Sequence, residues 1–232
     1  MKDKDEKENK SMPITKAWDW SKNTDDYWIT PCVESAYLAE RWSLKGFKNF
    51  LDLGCGLGRH SVYMGTHGFD VTAVDLSEEA VKRTKNWAAQ ENLQVKTCVS
   101  NMLKLPFRDN SFDCMIAYNV IYHTDTVGFQ SVLEEIRRIL KPGGELFLTL
   151  ISKNTWSYNQ ADKRKRIDDN TVLRNENETG EDIPHFFVDL KDIKRFFINF
   201  KFIRLPIEEC EYNMENPDYY SVHWKIVIKN IK

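Results

Sequence analysis

Between residues 48 and 151 the chain alternates two patterns of apolar and polar positions. Short apolar runs at 49–53, 70–75, 94–99, 112–118 and 145–151 predict strands. Between them apolar residues recur every three to four positions, which predicts helices. One helix follows at 58–66. Another starts at Ser77, with Glu78 and Glu79 in its first turn and Val81, Thr84, Trp87 and Ala88 on one face. A third places Phe129, Val132, Leu133, Ile136, Ile139 and Leu140 inward. It is expected to stop before Pro142, with Gly143 and Gly144 making the turn. Such alternation predicts an α/β fold: a parallel sheet with right-handed crossovers and helices on both faces. Ligands of such sheets lie beyond the carboxyl ends of the strands.

The flanks differ. Residues 1–13 carry mixed charge and no periodicity, so a disordered tail is expected there. Residues 14–232 read as a single domain with an aromatic and helical cap at 14–46 and a lid-like insertion at 152–188. The cap holds Trp18, Trp20, Tyr27 and Trp28 ahead of a helix predicted over 32–43. Those rings either pack on the core or cover a ligand. Residues 153–183 hold few large apolar groups and many charges, which predicts a long loop. Its run Lys163-Arg164-Lys165-Arg166 reads as a solvated face. Asp189 then caps a helix with Leu190, Ile193, Phe196 and Phe197 inward, and two strands follow at 202–206 and 221–228. The helix precedes both strands, so they are expected as an antiparallel pair at a sheet edge.

Bulk composition narrows the function classes. Apolar residues make up 41% of the 232 and charged residues 29%, enough for a core under an ordinary polar surface. A net charge of −2 argues against a dedicated nucleic-acid partner. Five scattered cysteines form no disulfide framework, and no Cys/His spacing suits a metal. With no apolar leader and no membrane-length apolar run, a cytoplasmic protein without a membrane partner is expected. Monomer and homodimer stay open.

The densest chemistry lies in LDLGCGLGRH, residues 51–60. Asp52 precedes three glycines at alternate positions, Gly54, Gly56 and Gly58, at a strand-to-helix junction. Glycines there turn the chain tightly and let main-chain N–H groups approach a ligand. The G-x-G-x-G spacing is not the G-x-G-x-x-G of dinucleotide sites, and Asp75 closes the next strand 17 positions past Gly58.

Five motifs in order, LDLGCGLG, VTAVDLS, NMLKLPF, FDCMIAYNVIYH and RRILKPGGELFLTL, resemble those of class I S-adenosylmethionine-dependent methyltransferases. The wording around the first two is similar to small-molecule methyltransferases of the type 11/25 and tellurite-resistance groups. The resemblance implies a Rossmann-like seven-stranded sheet in the order 3-2-1-4-5-7-6, strand 7 antiparallel. It implies S-adenosyl-L-methionine as cofactor, leaving as S-adenosyl-L-homocysteine. It places Asp52 near the cofactor's ammonium side, and Gly54, Cys55, Gly56 and Gly58 along its methionine and ribose. Asp75 would bridge the ribose hydroxyls, Leu76 and Met102 would pack on the adenine, and Asn119 would complete the site. Asn101 stands where the family commonly has Asp, and its amide oxygen would accept from the adenine amino group without charge.

Methyl transfer needs orientation, desolvation and, for some acceptors, a base. His123, beside Asn119 and Tyr122, and His185, in Pro184-His185-Phe186-Phe187, are the two candidates; local packing is the competing reading for each. Trp18, Trp20, Tyr27, Trp28, Tyr122, Trp156 and Phe186 are the expected acceptor-pocket residues, with Tyr158 beside them. A-Y-N-V in the fourth motif differs from the N-P-P-Y of base-flipping enzymes, which favours a small-molecule acceptor over nucleic acid. A non-catalytic S-adenosylmethionine sensor and an NAD-dependent dehydrogenase are the alternatives.

Overall fold

Four of the five residues of β1 (Asn49–Leu53) are buried, as a central strand covered on both faces requires. A computed structural model describes residues 15, 18, 20, 26–174 and 182–232; the tail expected at 1–13 lies outside them. β1 pairs in parallel with β2 (Asp70–Asp75) and β4 (Phe112–Ala117). β2 pairs with β3 (Lys96–Val99), and β4 with β5 (Leu140–Ser152). Successive residues feed opposite faces. Phe50, Cys114, Ile116 and Phe147 pack beneath α1 (Glu34–Leu44) and α2 (Arg59–Thr66). Leu51, Met115 and Leu148 pack with Phe129, Val132 and Ile136 of α4 (Thr126–Ile139). Ser77 caps α3 (Glu78–Gln90) by accepting the Ala80 N–H.

The C-terminal third carries α5 (Trp156–Asn159), β6 (Thr171–Arg174), β7 (Ile183–Val188), α6 (Leu190–Phe196), β8 (Phe200–Phe202), β9 (Ile207–Tyr212) and β10 (Tyr220–Asn230). The main path runs β3-β2-β1-β4-β5-β10-β8, with β10 antiparallel to both neighbours. In order of position this is the expected 3-2-1-4-5-7-6 sheet.

Four local expectations change. β5 starts at Leu140, directly after α4, because Leu140 is buried and pairs with Phe112 across a register shift that takes up Gly143. The stretch 153–183 is not a bare loop: β6 and β7 form an antiparallel hairpin, and β7 extends the sheet beside the end of β5. β9 adds an antiparallel strand to β10; none of its residues is buried, so alternation could not flag it. Leu190 opens α6 but is exposed, since Asp189 and Asp192 close a capping box there and turn the first position outward. The basic run is exposed at Lys163, Arg164 and Lys165, and Arg166 stacks on Tyr158.

Candidate functional site

The glycine loop begins where β1 ends. Gly54 and Cys55 both donate their N–H to the Val74 carbonyl, at 2.7 and 2.9 Å, which bends the loop back over β2. Gly54 has φ +72°, and a Cβ there would lie 2.3 Å from Val120. Only glycine fits. The Gly56 N–H donates to Asp75 at 2.9 Å, and the other Asp75 oxygen accepts the Ser77 N–H at 2.9 Å. The carboxylate therefore ties loop and helix while both oxygens keep acceptor capacity. Burial pushes the Asp75 carboxyl above its ordinary pKa.

A cavity of about 650 Å³ opens at the carboxyl ends of the central strands. One end is lined by Gly54, Cys55, Gly56, Asp75 and Leu76. Ser100, Asn101 and Met102 continue that wall, and Asn119 joins it. Asn119 is held at φ +54° by Thr149, whose hydroxyl accepts its N–H and donates to its side-chain oxygen, both at 2.8 Å. The Asn101 oxygen accepts the Leu103 N–H, and its amide group donates to Thr15. The acceptor role expected of that oxygen thus rests on its second lone pair. Burial raises the Cys55 thiol far above its ordinary value, so it stays protonated and packs.

Trp18, Tyr122, His123, Arg174, Tyr219 and His223 also line the cavity. Trp18 lies 6.2 Å from the His123 ring, and Tyr122 lies 4.6 Å from it. Trp20 and Trp28 also line the cavity, with Trp20 packed 5.2 Å from Trp28 and against Gly56. Trp20 is therefore brought to the glycine loop as well as to the aromatic wall.

Several expected residues lie off the cavity. Asp52 is buried under the loop, where it accepts the Ser61 hydroxyl at 2.6 Å; burial lifts its carboxyl to about 6. Gly58 faces Thr84 on α3, the contact that fixes helix packing. Tyr27 is exposed outside Trp28, stacked on the Arg59 guanidinium. Trp156 packs on Tyr219 behind the wall, Tyr158 packs on Phe187, and Phe186 stacks on Phe129 in the core. His185 is fully buried on β7, not in a loop. It touches His123 at 4.8 Å between rings and bonds the Ile183 carbonyl at 3.0 Å.

Other lining residues escaped the sequence reading. Arg59 is nearly buried, donates to the Tyr27 and Thr30 carbonyls, and so holds the cap against the loop. Its neighbour His60 is held neutral, its pKa pushed to about 3 by burial and by the adjacent guanidinium, and it accepts the Cys32 N–H. Both follow the last glycine directly, so their position was the available signal. Ser221 and His223 alternate with the inward Val222 and Trp224 of β10, a signal that the strand pattern carried. Arg174 had none.

The residues fit S-adenosylmethionine. The Trp20 Nε1–H is buried and has no hydrogen-bond partner among the described residues, a donor beside the loop for which a ligand oxygen would be the acceptor. A Cβ on Gly56 would lie 2.9 Å from the Trp20 ring, so the ring packs directly on the loop and sets this donor against it. Residues 51–148 match the family of methyltransferase domains. With the strand order above, the chain has the fold of the class I S-adenosylmethionine-dependent methyltransferases.

Its relatives agree. It is 37% identical over 115 residues to an uncharacterised protein of Methanocaldococcus jannaschii, covering 48% of this chain and 47% of that one. It is 32% identical over 126 residues to a ubiquinone biosynthesis O-methyltransferase of Coxiella burnetii, covering 54% and 53%. The chain thus spans about half the length of the curated relatives it matches. An S-adenosylmethionine-dependent methyltransferase structure from Methanosarcina mazei superposes with TM-score 0.67 at 22% identity, covering 79% of this chain and 92% of that one.

Proposed function

We propose that the chain transfers a methyl group from S-adenosylmethionine to a small-molecule acceptor. The observation that carries this reading is one continuous cavity joining the glycine loop and Asp75 to the wall of Trp18, Tyr122, His123 and His223. Its volume of about 650 Å³ falls within the roughly 300–1,000 Å³ of small-molecule sites. The C. burnetii relative, named for an O-methyl transfer in ubiquinone biosynthesis, supports an acceptor of that scale.

Asp75, Gly54, Gly56 and Asn119 hold the cofactor, with Leu76 and Met102 beside its adenine. The bound cofactor supplies a methyl group on a sulfonium, an electrophile that needs no activation by the protein. The chain contributes orientation and exclusion of water, through the aromatic wall, and a proton acceptor where the substrate needs one. His123 faces the cavity and takes that role. His185 positions it: the Ile183 carbonyl can only accept, so the His185 Nδ1 carries the proton and the ring is fixed against His123.

Calorimetry with S-adenosylmethionine and with NAD, followed by S-adenosylhomocysteine release across an acceptor panel, tests the reading. Preferential binding of the first and turnover with a small acceptor are expected. NAD preference overturns the assignment, and tight cofactor binding without turnover on any acceptor leaves a sensor instead.

A further inference from the structure

Two side chains beside the glycine loop hold donors that no acceptor among the described residues takes up. One is Trp20, whose indole N–H is buried and unpartnered there. The other is Arg59, which directly follows the loop and is 7% exposed. Its Nη1 donates to the Tyr27 and Thr30 carbonyls at 2.7 and 3.3 Å, while its Nε and Nη2 make no hydrogen bond and no ion pair among the described residues. The rings of Tyr27, Trp28 and Tyr118 lie 5.0, 5.6 and 4.9 Å from the guanidinium carbon. Rings and carbonyls desolvate the charge without neutralising it. Asp52, which feels that charge, is buried under the loop and accepts from Ser61 instead.

Both donors pack against one ring. Trp28 lies 5.2 Å from the Trp20 ring and 5.6 Å from the Arg59 guanidinium. Trp20 in turn sits on Gly56, and Tyr118 adjoins Asn119, so the cluster stands at the cofactor end of the cavity that all four residues line. A buried guanidinium is costly unless a negative group offsets it. The Nε and Nη2 edge of an arginine matches the two oxygens of a carboxylate. The chain uses that edge elsewhere: Arg41 donates from Nε and Nη2 to the Glu145 carboxylate, at 2.8 Å each. Among the groups of S-adenosylmethionine, the ribose hydroxyls bring no charge, and the sulfonium and ammonium would meet like charge. The carboxylate of its methionine end answers both the charge and the donors.

Resting on the methyltransferase reading, we propose that Arg59 and Trp20 hold the carboxylate of the cofactor's methionine end, Arg59 through Nε and Nη2 and Trp20 through its indole N–H. Arg59 also ties down the cap at Tyr27 and Thr30, so its loss weakens any ligand in the cavity to some degree. A ratio of affinities, with and without the carboxylate on the ligand, isolates the proposed contact.

Calorimetry on the full chain compares S-adenosylhomocysteine with its decarboxylated analogue, which keeps the amine and the adenosine. The wild type is expected to bind the first about tenfold more tightly or better, the usual worth of hydrogen bonds to a charged group. Trp20→Phe keeps a ring on the loop and removes the N–H; Arg59→Gln removes the charge. Each should lower the preference for S-adenosylhomocysteine by about threefold or more. Arg59→Lys keeps the charge without the fork and should retain part of it. Trp20→Phe and Arg59→Lys supply the ratio if Arg59→Gln does not fold. Binding of neither ligand by the wild type removes the methyltransferase reading itself. Equal binding of the two by the wild type overturns the carboxylate site and leaves that reading standing. An unchanged ratio in Trp20→Phe, or in both Arg59 variants, removes that residue from the site.

Discussion

Asp75 accepts the main-chain N–H of Gly56 at 2.9 Å, so the acid expected to serve the ribose also holds the loop in place. Its second oxygen accepts from Ser77, and an asparagine has only one oxygen for these two donors. Asp75→Asn is therefore expected to lose one tether as well as charge, and to weaken S-adenosylmethionine binding more than tenfold. Calorimetry measures it. Wild-type affinity in Asp75→Asn would separate this carboxylate from the cofactor.

Gly54 and Val120 make the same argument from sterics. The alanine Cβ at Gly54 would sit 2.3 Å from a Val120 methyl, on a backbone at φ +72°. Overpacking and left-handed strain together make Gly54→Ala destabilising by on the order of 2–4 kcal/mol. Val120→Ala in the same chain removes the methyls at 2.3 and 3.1 Å but keeps its own Cβ at 2.6 Å, so it relieves part of the overpacking and leaves the backbone strain of about 1 kcal/mol. Denaturant unfolding of the two single variants and the double variant should show the double less destabilised than the sum of the two singles. Simple additivity of the two losses would contradict the contact.

The sheet and the glycine loop were legible because each rests on a local rule: short apolar runs for strands buried on both faces, capping by Ser77 and Asp189, and glycine at a strand end. The strand order followed from a resemblance of motifs rather than from periodicity. Asn101 was legible as a departure, yet its bonds to Thr15 and Leu103 depend on tertiary placement. Part of the cavity lining was hidden for a physical reason. Arg174 and His223 reach it only through the hairpin of β6 with β7 and the pairing of β10 with β5, contacts between segments distant in sequence. Phe186 and His185 misled for the same cause. An apolar strand at 183–188 bounded by charge reads as a loop end until β5 is there to pair with it.

Asp52 gives the chain a pH signature. Its carboxyl is lifted from 3.8 to about 6, chiefly by burial, with the Ser61 hydroxyl and Arg59 opposing. The folded chain thus holds this proton more tightly than the unfolded chain, and the group's contribution to stability falls as pH rises from about 4 to about 6, then stays level. Asp52→Asn keeps an acceptor for Ser61 without the buried charge. Its stability relative to wild type is expected to rise across that window, by on the order of 3 kcal/mol in all. Urea unfolding at pH 4, 5, 6 and 7 measures the difference, and a flat difference would mean that Asp52 ionises as it does in water.

His123 and His185 stand ring against ring at 4.8 Å, but only His123 borders the cavity, which divides their roles. Once an acceptor is in hand, His123→Gln is expected to lower kcat by 10²- to 10⁴-fold, the usual contribution of a general base, with S-adenosylmethionine affinity unchanged. His185→Gln should cost less in kcat, because the ring it removes touches His123 and not the reacting atoms. It should instead shift the acidic limb of the kcat/KM profile, since the packing that surrounds His123 changes with it. His185→Asn, with a side-chain amide at the Nδ1 position, should recover part of that limb by donating to the Ile183 carbonyl. Identical profiles in wild type and both His185 variants would leave His185 as a core residue only. Full turnover in His123→Gln would mean that the acceptor reacts in a form that needs no base from the protein.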